Sequence, residues 1–151
     1  MAELLYCVRF KGQAEPEPEG SGRFRIKAAG ESCHIQTTID EEGVRGALQP
    51  VTGGFAEFES RVRMKDNDTF EEEGEIQFGE EGPSIRFVTF TPGKIEQGPE
   101  PNETRGAITY RVEGGKGQLK HASGLITANF RLGSAGEVEN FQLGLLHIPE
   151  P

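Results

Sequence analysis

Apolar and polar side chains alternate along most of this chain, and a two-residue repeat is the period of a β-strand. Leu4, Tyr6, Val8 and Phe10 share one parity. Phe24, Ile26 and Ala28 alternate with Arg23, Arg25 and Lys27, and Cys33, Ile35, Thr37 and Ile39 alternate with His34, Gln36 and Thr38. The same beat returns in Gly106, Ile108, Tyr110 and Val112, and again in Ile126, Ala128, Phe130 and Leu132. No stretch carries an apolar 3.6-residue period long enough for a helix. The nearest approach is a single turn around Leu119 to Ala122.

The clearest unit runs from Phe55 to Phe78. Ala56, Phe58, Ser60, Val62 and Met64 form one face, with Glu57, Glu59, Arg61, Arg63 and Lys65 on the other. Asp66-Asn67-Asp68-Thr69 is a turn cluster. Beyond it Phe70, Gly74, Ile76 and Phe78 point inward, while Glu71, Glu73, Glu75 and Gln77 point outward. Closing this hairpin sets the basic side chains opposite the glutamates, a favourable cross-strand arrangement.

About eight to ten short strands with hairpin-length links predict an all-β, single-domain antiparallel barrel spanning 1–151. Glycine in a strand often marks a sharp barrel bend, and the inward sets contain Gly74, Gly106, Ala128 and Gly144. Two Pro/Glu-rich segments, 14–22 and 96–104, read as loops, either solvated connectors or flaps over a barrel mouth. Val138 to Ile148 and Ser84 to Thr91 are apolar on both parities, which predicts strands covered on two sides and a homo-oligomer, dimer or trimer.

Composition narrows the function classes. A chain of 151 residues can bury a substantial core. The formal net charge of −9 repels nucleic-acid phosphates and anionic membranes. Cys7 and Cys33 make no disulfide framework and read as small core or edge residues. The start, Met1-Ala2-Glu3, lacks a basic region, and no segment approaches the ~20 apolar residues of a membrane-spanning helix. The expectation is a soluble, reduced, cytoplasmic protein.

Between two of the alternating segments lies Gly114-Gly115-Lys116-Gly117-Gln118-Leu119-Lys120-His121-Ala122-Ser123-Gly124. Gly115, Gly117, Leu119, Ala122 and Gly124 fit G-x-G-x-[F/L]-x-x-A-x-G. This pattern resembles the late-barrel turn of allene oxide cyclase-like and dirigent-like barrels and of related bacterial barrel families. The resemblance implies an eight-stranded antiparallel, calycin-like barrel, often trimeric, holding an apolar or phenolic ligand. It implies that Leu119 plugs a barrel end. It carries over no catalytic residue, because no catalytic motif aligns.

The residues themselves offer a sparse set of chemical groups. Glu72 shares inward parity with Phe70, Gly74 and Ile76, where desolvation would raise its pKa towards that of a general acid or base. The alternative is a solvated rim carboxylate beside the Asp66–Thr69 turn. Tyr6 and Tyr110, the only tyrosines, fall on inward parity and would either orient a ligand oxygen or simply pack. Arg86 reads as an anchor for a ligand carboxylate or as a surface ion pair. Phe58 and Phe130 are candidate ligand-lining rings. His34, His121 and His147 show no metal-ligand spacing, Gly114 to Lys120 lacks a phosphate-loop signature, and no cofactor motif is present.

Three functions fit. One is a small-ligand barrel acting as an isomerase or cyclase, with Glu72 and Tyr110 catalytic and Tyr6, Arg86, Phe58 and Phe130 binding. The second is a non-catalytic carrier. The third is an interaction protein with a filled barrel. The first two require an interior cavity of roughly 300 Å³ or more.

Overall fold

The computed structural model describes residues 2–150. Eight antiparallel strands follow one another around a closed barrel: β1 (Ala2–Pro16), β2 (Arg23–Asp40), β3 (Gly43–Met64), β4 (Thr69–Phe78), β5 (Ser84–Gln97), β6 (Thr104–Lys116), β7 (Ser123–Leu132) and β8 (Glu137–Ile148). Closure comes from β1 pairing with β8, from Ala2–Ile148 to Gln13–Glu137. Within the barrel each strand has a hydrogen-bonded neighbour on both sides, so closure removes most of the sheet edge that invites aggregation.

The alternation maps directly onto the wall. Val8, Phe10, Phe58, Ile76, Ile85, Phe87, Tyr110, Ile126 and Leu146 are buried inside. Their centre is a run of rings: Phe10 lies 5.4 Å from Phe58, Phe58 stacks on Phe87 at 5.5 Å, and Phe87 meets Tyr110 at 4.3 Å. Outside, Arg61 and Arg63 stand opposite Glu73 and Glu71, and Arg63 reaches Glu71 at 2.9 Å.

One end of the barrel is plugged. The only helical turn among the described residues, Gly117–Leu119, follows β6 and carries Leu119 inward, where it is 2 % exposed. Gly117 has φ +65°, a left-handed conformation that a side chain would strain.

Three features differ from the sequence reading. The strands are not all short, since β2 and β3 run 18 and 22 residues. Their distal halves leave the barrel as a two-stranded arm beyond an irregularity at Glu31/Cys33. Cys33 therefore sits half-buried at the base of this arm, the edge position of the two that the sequence left open. The acidic loops are also shorter than their composition implies. β1 continues through Pro16, β5 through Gln97, and β6 begins at Thr104. A proline is tolerated at Pro16, the last residue of β1, because its missing N–H falls where pairing ends.

Candidate functional site

The barrel centre is filled with rings, but the end opposite the Leu119 plug is hollow. A cup of about 560 Å³ opens there. Its wall is mostly apolar: Phe24, Ile26, Val62, Met64, Phe70, Ile95, Phe130 and Val138. Three polar residues line it, Glu72 and Asn140 from the strands and Ser134 from the turn between β7 and β8.

Glu72 is only 4 % exposed. A register break positions it. Between the Phe70–Gly93 and Gly74–Phe87 pairs, β5 carries two more residues than β4, so the ladder opens beside Glu72. The Thr89 hydroxyl fills the gap, accepting from the Glu72 N–H at 2.7 Å and donating to the Glu72 carbonyl at 2.8 Å. Because the extra residues lie on β5, β4 keeps its alternation and the Glu72 side chain stays inward. Gly74 lets the neighbouring strands close in, since a Cβ there would fall 2.8 Å from the Ser60 Cα and 2.9 Å from the Phe87 ring.

The carboxylate is held at both oxygens. Ser60 Oγ donates to Oε2 at 2.5 Å and Tyr110 Oη donates to Oε1 at 2.7 Å. Burial raises the Glu72 pKa above its usual 4.5, and the two donors only partly oppose it. The Tyr110 phenol is raised well above its usual value, first by burial and then by the adjacent Glu72 charge, while the Asn140 side chain pulls it down. Asn140 Oδ1 is buried and accepts no hydrogen bond. A buried acceptor without a partner costs free energy, and this one belongs to a residue that lines the apolar cup.

The residues singled out from sequence part company here. Glu72 and Tyr110 meet directly, and Phe130 lines the cup. Phe58 does not line it; it is packed between Phe10 and Phe87 and fills the barrel. Arg86 is not an interior anchor. It is exposed on the outer wall opposite Glu75, with its guanidinium 3.4 Å from the Glu113 carbonyl. Tyr6 lies towards the plugged end, edge-on to Phe78 and 3.3 Å from Gln142 Oε1, and burial first, then Cys7, raises its pKa. It joins no ligand pocket with Glu72.

Ser60, Thr89, Asn140 and Gln142 were missed as site residues. Ser60 was visible as a lone hydroxyl on the apolar face of its strand. Asn140 and Gln142 share inward parity with Val138 and Leu146, but the apolar residues on both parities of β8 hid that signal. Among the described residues, no three His, Cys, Asp or Glu side chains gather as a metal site.

No family model and no curated protein sequence matches this chain. A solved structure does. The chain superposes on a pterocarpan synthase dirigent protein with a TM-score of 0.52 at 14 % identity, over 100 % of this chain and 89 % of that one. The likeness is one of fold: an eight-stranded antiparallel barrel of the dirigent type.

Proposed function

We propose that the cup binds a small, largely apolar ligand bearing one hydroxyl, of which a phenol is the simplest example. The observation that carries this reading is the pairing of an apolar wall with the unsatisfied Asn140 Oδ1 and the buried Glu72 carboxyl. A cup of this volume suits a ligand of drug-like size. The ring-filled centre of the barrel limits how deep such a ligand reaches. The dirigent-type fold of the solved neighbour supports the same ligand class.

A second reading, isomerisation or cyclisation of the bound ligand, is favoured by one observation. Glu72 is desolvated, so it is poised to deliver a proton to a ligand oxygen and to retrieve one from carbon. Tyr110 and Ser60 hold the carboxyl in place, and confinement supplies the rest of the rate.

Fluorescence titration with 2-naphthol and with naphthalene tests the binding reading. The expected result is saturable binding of both, with naphthol about tenfold tighter, the worth of one hydrogen bond. Asn140→Leu should erase that difference, and Phe130→Glu should abolish binding of both probes. Absence of saturable binding, or binding indifferent to both variants, would overturn it.

A further inference from the structure

Two apolar surfaces of this molecule have no cover within the chain. The first is the arm. From the Cys33–Pro50 pair to the Asp40–Gly43 pair, β2 and β3 form a ribbon with no further strand beside it. Cys33, Ile35, Thr37 and Ile39 share one face with Pro50, Leu48, Gly46 and Val44, as the register dictates. The opposite face is His34, Gln36, Thr38, Gln49, Ala47 and Arg45. Ile39 and Val44 are 76 % and 71 % exposed. An isolated two-stranded ribbon is marginal in water, so this face calls for a partner.

Its own barrel is the wrong partner. On β2, the apolar arm residues continue the odd-numbered series Arg25, Lys27, Ala29 and Glu31, which faces out of the barrel, away from the inward Phe24 and Ile26. The face that continues the barrel interior, and would fold over the barrel end, is the polar one.

The second surface is the outer wall next to the arm's origin. Leu5, Leu145 and Leu125 stand side by side across β1, β8 and β7, and Leu143 follows beside Cys7 and Thr127. Leu5 and Leu143 are 66 % and 52 % exposed. Contiguous apolar patches of this kind mark interaction surfaces.

We infer that the apolar face of the arm lies on the Leu5–Leu125–Leu143–Leu145 wall of a second copy of this chain, and that the two copies exchange arms reciprocally. Charge agrees with this pairing. The arm tip carries Asp40, Glu41 and Glu42 against a single Arg45, which pairs with Asp40 and Glu42. Of the arginines flanking the wall, Arg111 and Arg131 already pair with Glu113 and Glu139, whereas Arg9 makes no ion pair among the described residues and is the cation left to meet the acidic tip. Reciprocity follows from area. Eight residues of ribbon span about 26 Å and two strands about 10 Å, so one contact covers roughly 250 Å² on each partner. Two such contacts bury about 1,000 Å² in total, the lower bound of a specific interface, whereas one falls short. The arm springs from β2, directly beside β1 of the wall, so both surfaces lie on one side of the molecule and can be exchanged about a twofold axis.

Sedimentation velocity of the full chain over a wide concentration range tests this. The wild type should be a reversible dimer. The arm variant Ile39→Lys/Val44→Lys and the wall variant Leu5→Glu/Leu143→Glu should each weaken dimerisation at least about tenfold, a loss of 1.4 kcal/mol or more. All four positions are exposed, so circular dichroism should report intact barrels; excising residues 34–49 provides a second arm variant should the lysines disturb the ribbon. An equimolar mixture of the arm variant and the wall variant should associate more tightly than either variant alone, though far short of wild type, because only one of the two contacts is whole. A wild type that stays monomeric overturns the inference. So does a dimer that ignores the wall variant, which points to arm-on-arm pairing.

Discussion

The two ends of the barrel are built from the same alternating strands, yet one is solid and the other hollow. At the plugged end, Leu119 turns inward, Tyr6 packs against Phe78, and Gly144 makes room for the Tyr6 ring, where a Cβ would fall 2.0 Å from it. At the open end, inward positions such as Ala14 and Gly136 are small, and the rings of Phe24 and Phe130 stand against the wall without meeting across the cup. Phe130 instead sits edge-on to Phe70 at 5.7 Å. The plug is a stability device; the cup forgoes packing and keeps a desolvated carboxyl at its floor. Spaces left unfilled by side chains cost stability and persist where a ligand fills them.

This contrast can be broken by substitution. The largest effect belongs to the ring-filled centre that separates the two ends: Phe87→Ala should lose about 3–5 kcal/mol in denaturant unfolding. Leu119→Ala should follow at about 2–5 kcal/mol, and it should open a second cavity at the plugged end that admits xenon in a pressurised crystal. Phe130→Ala, at the half-exposed rim, should cost no more than about 2 kcal/mol, because part of its ring is already in solvent, while weakening the proposed naphthol binding.

Glu72 sharpens the comparison through pH. Its folded pKa is raised, so the folded chain holds a proton that the unfolded chain has released. The stability tied to that proton is fully present below the usual value of 4.5 and is lost as pH rises through the raised folded value. Glu72→Gln should remove this downward slope, making the variant gain on wild type as pH climbs above 4.5; identical pH profiles would refute desolvation at the cup floor. The smallest effect lies on the outer wall. Arg63→Ala should leave unfolding unchanged within the error of a titration, since its pair with Glu71 is solvent-screened.

Much of the fold was legible because a strand records its environment residue by residue. The hairpin from Phe55 to Phe78 reads off its charges and its Asp66–Thr69 turn, and the structure pairs Arg61 with Glu73 and Arg63 with Glu71 across it. The site was legible only in part. Parity aimed Glu72 and Tyr110 at one interior, but parity says nothing about height along the barrel. Tyr6 and Tyr110 look equivalent in sequence, yet one meets Gln142 and the other Glu72. Arg86 was ambiguous because β5 is apolar on both parities and carries three register shifts against β6.

The sequence by itself determined the strand order, the inward series and the turn that plugs one end, because each rests on contacts between chain neighbours or on a two-residue period. Only the tertiary structure decided that Ser60, Glu72, Tyr110 and Asn140 share one level of the barrel, that Phe58 fills while Phe130 lines, and that the ends of β2 and β3 leave the wall altogether. Those outcomes depend on register and shear between strands distant in sequence, and on how side-chain volumes sum across the interior, quantities that no single strand encodes.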